Sequence, residues 1–125
     1  MVSLQALCNT ILEKSFQEYR LINLIKLQSL LFLINREYTA KFNTPLFSEK
    51  FLTWKHGFVL SSVHDKFRSF QTNPITRFAR DAQNKVFLLD EQYNPDMFQV
   101  INDIWRRYRD KPETELLQIC NMGTH

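Results

Sequence analysis

Apolar residues recur at helical spacing from the start of the chain. Leu4, Leu7, Cys8, Ile11, Leu12 and Phe16 fall three and four apart, with Gln5, Glu13, Lys14, Gln17 and Glu18 filling the other positions. This is the pattern of an amphipathic helix whose stripe needs a neighbour. The neighbour is expected to start at Asn23, a residue whose side chain can accept from a backbone N–H of the first turn. Leu24, Leu27, Leu31, Ile34 and Tyr38 then recur at steps of three and four. Ile25, Leu30, Phe32 and Leu33 widen the apolar surface nearly all round, as expected of a central, buried helix. Ten of the 14 residues from 21 to 34 are apolar. A membrane span takes about 20 apolar residues, and Asn23, Lys26, Gln28 and Ser29 interrupt this run, so it reads as core.

Between Phe42 and Phe58 the helical period fails. Asn43-Thr44-Pro45 signals a turn, and Phe47, Phe51 and Trp54 do not alternate cleanly, so one or two short extended pieces are expected. Gly57 is expected to adopt a backbone angle closed to other residues or to permit a close approach. Ser61 or Ser62 can cap a further helix carrying Val63, Phe67 and Phe70, with Ser62 and Asp65 spaced as a capping box. A turn at Gln71-Thr72-Asn73-Pro74 follows. Lys85-Val86-Phe87-Leu88-Leu89 reads as a short strand able to pair with the region from Phe47 to Trp54. Asn94-Pro95-Asp96 is a helix start, followed by a stripe of Met97, Phe98, Ile101, Ile104, Trp105 and Tyr108, with Arg106, Arg107 and Arg109 near the negative end. Pro112 opens a last short helix through Glu113, Leu116, Leu117 and Ile119. The fold class is therefore mainly α: one compact domain over residues 1–125, of five or six helices with a β-hairpin or a short sheet of two or three strands.

Composition sharpens this picture. Two glycines among 125 residues leave no glycine-rich phosphate loop and no flexible linker. Eleven phenylalanines, four tyrosines and two tryptophans are ample for a core, with some to spare for a binding surface. The net charge of +3 is mild but unevenly placed. Lys50, Lys55, Lys66, Arg68, Arg77 and Arg80 face only Asp65 in residues 50–80, whereas residues 81–125 are net acidic. Cys8 and Cys120 stand far apart in no metal or disulfide pattern. The start of the chain lacks the basic and apolar regions of a signal peptide. A reducing cytoplasm is the expected location.

Catalytic constellations are not evident. His56 and His64 have no third partner at zinc-site spacing. Cys120 continues the apolar face of Leu116 and Leu117, which makes a structural thiol the simpler reading than a pair with His125. Asp90 and Glu91 are adjacent, which in an extended segment sends their side chains apart. No cofactor and no enzyme activity are expected. The suggestive surface feature is Lys66, Arg68, Arg77 and Arg80 interleaved with Phe67, Phe70 and Phe78, because arginine beside exposed aromatics suits an interface anchor. Phe67 and Phe70 share a face with Val63 and read as core, as do Trp54 and Trp105. Phe78 is expected to be the exposed anchor.

Two segments resemble a known family. Ile22-Asn23-Leu24-Ile25-Lys26-Leu27-Gln28-Ser29-Leu30-Leu31-Phe32 is similar to the I-T-N-L-K-L-Q-K-L-L-Y signature of the Panacea domain, also called SocA-like or GepA-like. Pro45-Leu46-Phe47, Glu49, Trp54 and Gly57 fall where that family carries G-x-P-L-F-x-E-x-I-x-A-W-x-x-G-P-V. Asn23, Lys26, Leu27, Gln28, Pro45, Phe47, Trp54 and Gly57 thus carry the motif in structural positions. Ser29, Phe32 and Phe58 depart from it, standing where the family has lysine, tyrosine and proline. The chain also ends where relatives commonly continue, so a short C-terminal extension is expected to be lacking. The resemblance implies an antitoxin: a binding protein, associated with phages or mobile elements, that neutralises a protein toxin encoded nearby, in one subgroup as an adaptor to a protease. On that reading Lys66, Arg68, Arg77, Phe78 and Arg80 form the partner-binding surface. A small nucleic-acid-binding regulator is the alternative, disfavoured because basic residues do not line one helix.

Overall fold

The computed structural model describes residues 1–54 and 57–122. In chain order it comprises helices α1 (Leu4–Gln17) and α2 (Leu24–Phe42), strands β1 (Leu52–Trp54) and β2 (Gly57–Val59), helix α3 (Ser61–Phe67) extended by a 3-10 turn at Arg68–Phe70, and helices α4 (Pro95–Tyr108) and α5 (Glu113–Met122). The expected mainly helical domain with a small hairpin is what forms.

α2 is the central element. Leu24, Leu27, Leu30, Leu31, Leu33 and Ile34 are all buried, and the helix packs against α1, α3, α4, α5 and β2. So wide an apolar surface can be covered only by neighbours on several sides. Asn23 caps it as expected, accepting from the Lys26 N–H at 2.9 Å. Asn43 ends it in the left-handed conformation, at φ 55°, which asparagine tolerates better than most residues. α1 starts at Ser3, whose hydroxyl accepts from Ala6 N–H. α4 begins with Pro95 in its first turn and Asp96 at the positive end, but Asn94, placed in the sequence to cap it, gives no side-chain cap and donates its amide to the Asp90 carbonyl instead. It buries Met97, Phe98, Ile101, Ile104 and Trp105.

β1 and β2 pair antiparallel, Leu52 opposite Val59, Thr53 opposite Phe58 and Trp54 opposite Gly57. Gly57 fulfils both roles expected of it. Its φ is 121°, and a Cβ built there would lie 2.7 Å from Leu117 Cδ2, so a side chain would both strain the backbone and strike α5.

Three further expectations are corrected. Residues 85–89 form no strand. Their backbone is instead held by α1, where the Asn9 amide donates to the Phe87 carbonyl and Thr10 Oγ1 accepts from Leu89 N–H. An apolar run with strand-like composition can be satisfied by side chains as well as by a ladder. The capping box at Ser62 and Asp65 does not form. α3 is preceded by Leu60, which gives no side-chain cap, and the Glu49 carboxylate accepts from Ser62 N–H at 3.1 Å instead. Finally, Trp54 is 42% exposed, whereas Trp105 is buried as expected. Trp54 ends the short strand β1 at the mouth of a cleft, where His64 of α3 meets one edge of its ring and the cleft is not filled.

Candidate functional site

Four of the five expected partner-binding residues come together. α3 delivers Lys66 at its last turn, and the irregular segment after the 3-10 turn carries Arg77, Phe78 and Arg80 back beside it. With Phe67 and Phe70 these side chains line a depression of about 250 Å³. The segment is anchored at two points. Ile75 N–H donates to the Ile22 carbonyl at 2.8 Å. Asn9 uses its whole amide on Ala79, accepting from its N–H at 2.8 Å and donating to its carbonyl at 2.9 Å. Asn9 is fully buried, so this pair stands in for a strand partner in a place water does not reach.

Phe78 is not the exposed anchor. Its ring is half-buried and packs edge-on against Phe16, with centroids 5.0 Å apart. Phe67 is buried, and Phe70 is half-buried beneath the Arg77 guanidinium at 5.4 Å from its ring centre. The depression is therefore a basic rim on an aromatic floor. Among the described residues Lys66, Arg77 and Arg80 have no carboxylate partner; Arg80 donates to the Asn84 carbonyl. Arg107 and Arg109 near the end of α4, with Arg20, contrast with this. Arg107 pairs with Asp103 and Glu37. Arg109 and Arg20 both reach Glu18, and Arg20 also binds Asp110 at 2.8 Å. The hydrogen bond from Arg20 holds the Asp110 carboxyl below its ordinary range.

Arg68, the fifth residue, is separated from the others. It lines a second cleft of about 280 Å³ between α2, the hairpin, α3 and α5, together with Trp54, His64 and Leu117. This cleft was not legible in the sequence, because its walls come from four elements. The only signal was the presence of Trp54 and Gly57 in one motif.

The motif residues hold the hairpin and α3 on α2. Gln28, buried in α2, accepts from Leu60 N–H at 3.0 Å and donates to the Leu60 carbonyl at 3.1 Å. Asn23 donates to Glu113 at 2.6 Å and the Lys26 ammonium to the Arg109 carbonyl, tying the start of α2 to α5 and to the end of α4. Leu27 and Phe47 are core, while Pro45 is exposed at the turn. Trp54 meets His64 edge-on at 4.8 Å. Phe32 and Phe58, two of the departures from the family pattern, stack on each other with centroids 4.4 Å apart and planes 10° from parallel.

Neither cysteine is poised as a nucleophile. Burial raises the Cys8 thiol far above its usual range and pushes Cys120 up to about 11, the opposite of what a nucleophilic thiolate needs. Cys120 Sγ lies 3.7 Å from the Ser29 carbonyl. His56 and His125 lie outside the described residues. Among the described residues no cluster of three or more metal-ligating side chains occurs, and no helix is long and apolar enough to cross a membrane.

No curated protein and no solved structure matches the chain. The family described as antitoxin SocA-like, Panacea domain, matches residues 27–122, a span that begins within α2 and takes in both strands, the basic segment and α5. The hairpin, the Gln28 clamp and Gly57 against α5 all lie inside that span, and the chain belongs to the antitoxin SocA-like, Panacea-domain family.

Proposed function

We propose that this protein is an antitoxin that neutralises a partner toxin by stoichiometric protein–protein binding, without chemistry of its own. Membership of an antitoxin family over residues 27–122 carries the reading. The basic rim supports it, since Lys66, Arg77 and Arg80 form no ion pair among the described residues and can meet an acidic partner. The toxin is the product of a neighbouring gene, on a phage or mobile element, and the complex forms in the cytoplasm. Delivery of that toxin to a protease is the extended form of the same reading.

Co-expression with the neighbouring gene's product tests it. Growth is restored and the two proteins co-purify; absence of both removes the idea. Replacing Arg77 and Arg80 together by glutamate weakens the complex by about 2 kcal/mol or more if they act as interface hot spots. Unchanged affinity by calorimetry, with the variant still folded, moves the interface off this rim.

A further inference from the structure

The cleft that holds Arg68 has a different character from the basic rim. Its apolar walls are Leu24 and Ile25 of α2, Trp54, Phe58 and Val59 of the hairpin, and Leu117 of α5. Four polar residues complete the lining: Gln28, His64, Arg68 and Gln71. Gln28 is committed to Leu60 through both ends of its amide, and His64 lies edge-on against Trp54. Arg68 remains. Its guanidinium has no carboxylate, carbonyl or ring partner among the described residues, and no acidic residue lines the cleft. An apolar hollow with one unneutralised cation at its edge is complementary to an apolar group carrying a negative charge.

The volume narrows the occupant. About 280 Å³ lies at the lower edge of the roughly 300–1,000 Å³ of small-ligand and cofactor sites, which suits one or two side chains or a group of that size. An exposed tryptophan and an arginine at the mouth are the residue types most enriched among interface anchors.

We infer that this cleft receives a segment of the partner protein that presents one bulky apolar side chain beside an aspartate or glutamate, the apolar group seating against Phe58, Val59 and Leu117 and the carboxylate meeting Arg68. The inference rests on the antitoxin reading for the partner's role, but not for the chemistry of the cleft. The cleft and the basic rim flank the same short helix, so one partner can engage both: the rim through charge, the cleft through an inserted side chain.

The chemistry is tested on the full chain alone, with 4-phenylbutyrate as a mimic of an apolar side chain with a carboxylate and 4-phenylbutanol as its uncharged twin. In nitrogen-15 spectra the acid produces saturable shifts at the Trp54 indole and the amides of Ile25, Phe58, Val59 and Leu117. The alcohol binds the same set about tenfold more weakly, and Arg68→Gln brings the acid down to the alcohol, as expected for loss of a charge-assisted hydrogen bond. Absence of saturable shifts, equal binding of acid and alcohol, or tighter binding of a ten-residue oligothymidylate at these positions overturns the inference.

The partner's role is tested separately, with Arg68→Glu and Ile25→Glu in the co-purified complex. Both residues are surface-accessible, and circular dichroism verifies that the variants fold. Loss of the complex in both variants supports the inference. Retention at wild-type affinity overturns the cleft as a docking site while leaving the antitoxin reading intact. Binding of phenylbutyrate by a protein that never binds the toxin does the reverse.

Discussion

Gly57 shows how one residue can join two elements. Its φ of 121° is open to glycine and costly for other residues, and Leu117 occupies the space a Cβ would need. Gly57→Ala therefore loses stability by about 1–3 kcal/mol from backbone strain, with the clash added to it, and urea denaturation reads the loss. A stability unchanged within error would mean that the hairpin relaxes out of the positive φ at this position. Phe32 and Phe58 make a second case. Each departs from the family pattern, and the two stack on one another. A double-mutant cycle with Phe32→Leu and Phe58→Leu should return a coupling of about 0.5–1.5 kcal/mol. A coupling of zero would make the two substitutions independent.

At the scale of elements, buried side-chain amides replace missing strands. Gln28 closes both hydrogen bonds of Leu60 at the start of α3, and Asn9 does the same for Ala79 and reaches Phe87 as well. Both irregular segments thus have backbone groups that would otherwise be buried without partners. Asn9→Leu strands both the N–H and the carbonyl of Ala79, whereas Gln28→Leu strands the Leu60 N–H alone, because the Leu60 carbonyl also accepts from His64 N–H at 3.0 Å; the cost is about 1–3 kcal/mol per orphaned group. The effects should be local. Hydrogen exchange is expected to quicken at Leu60 and through α3 for Gln28→Leu, and at Ala79 for Asn9→Leu. Uniform quickening over the whole chain in both variants would show instead that these clamps are part of the global folding unit.

For the whole molecule, the distribution of paired and unpaired charge is what bears on function. Arg107 and Arg109 near the end of α4, and Arg20 beside them, are engaged by Glu18, Glu37, Asp103 and Asp110, whereas the rim at Lys66, Arg77 and Arg80 keeps its charge unneutralised within the described chain. A complex made through that rim associates faster at low salt. Stopped-flow rates should fall as ionic strength rises from about 0.01 to 0.15 M, where the screening length shortens from about 30 to 8 Å. The Arg77→Glu, Arg80→Glu variant should lose most of that dependence. A salt-independent rate for the unaltered protein would assign the rim to solubility alone.

Much of this was legible in the chain. The stripes of α1, α2 and α4, the Asn23 cap, the proline start of α4, the need for Gly57 and the family signature all follow from spacing and residue type, because a helix repeats every few residues and local caps act within one turn. The errors share a cause. Residues 85–89 read as a strand, Ser62 as a cap, Trp54 as core and Phe78 as exposed, and each of these depends on groups distant in sequence: Asn9 and Thr10, Glu49, the open cleft between α2, α3 and α5, and Phe16. The sequence by itself determined which segments are helical, where the central helix lies and to which family the chain belongs. Only the tertiary structure decided that Arg68 parts company with the other basic residues and faces an apolar cleft. Burial and charge pairing are set by contacts between elements far apart in the chain, and local periodicity carries no information about those.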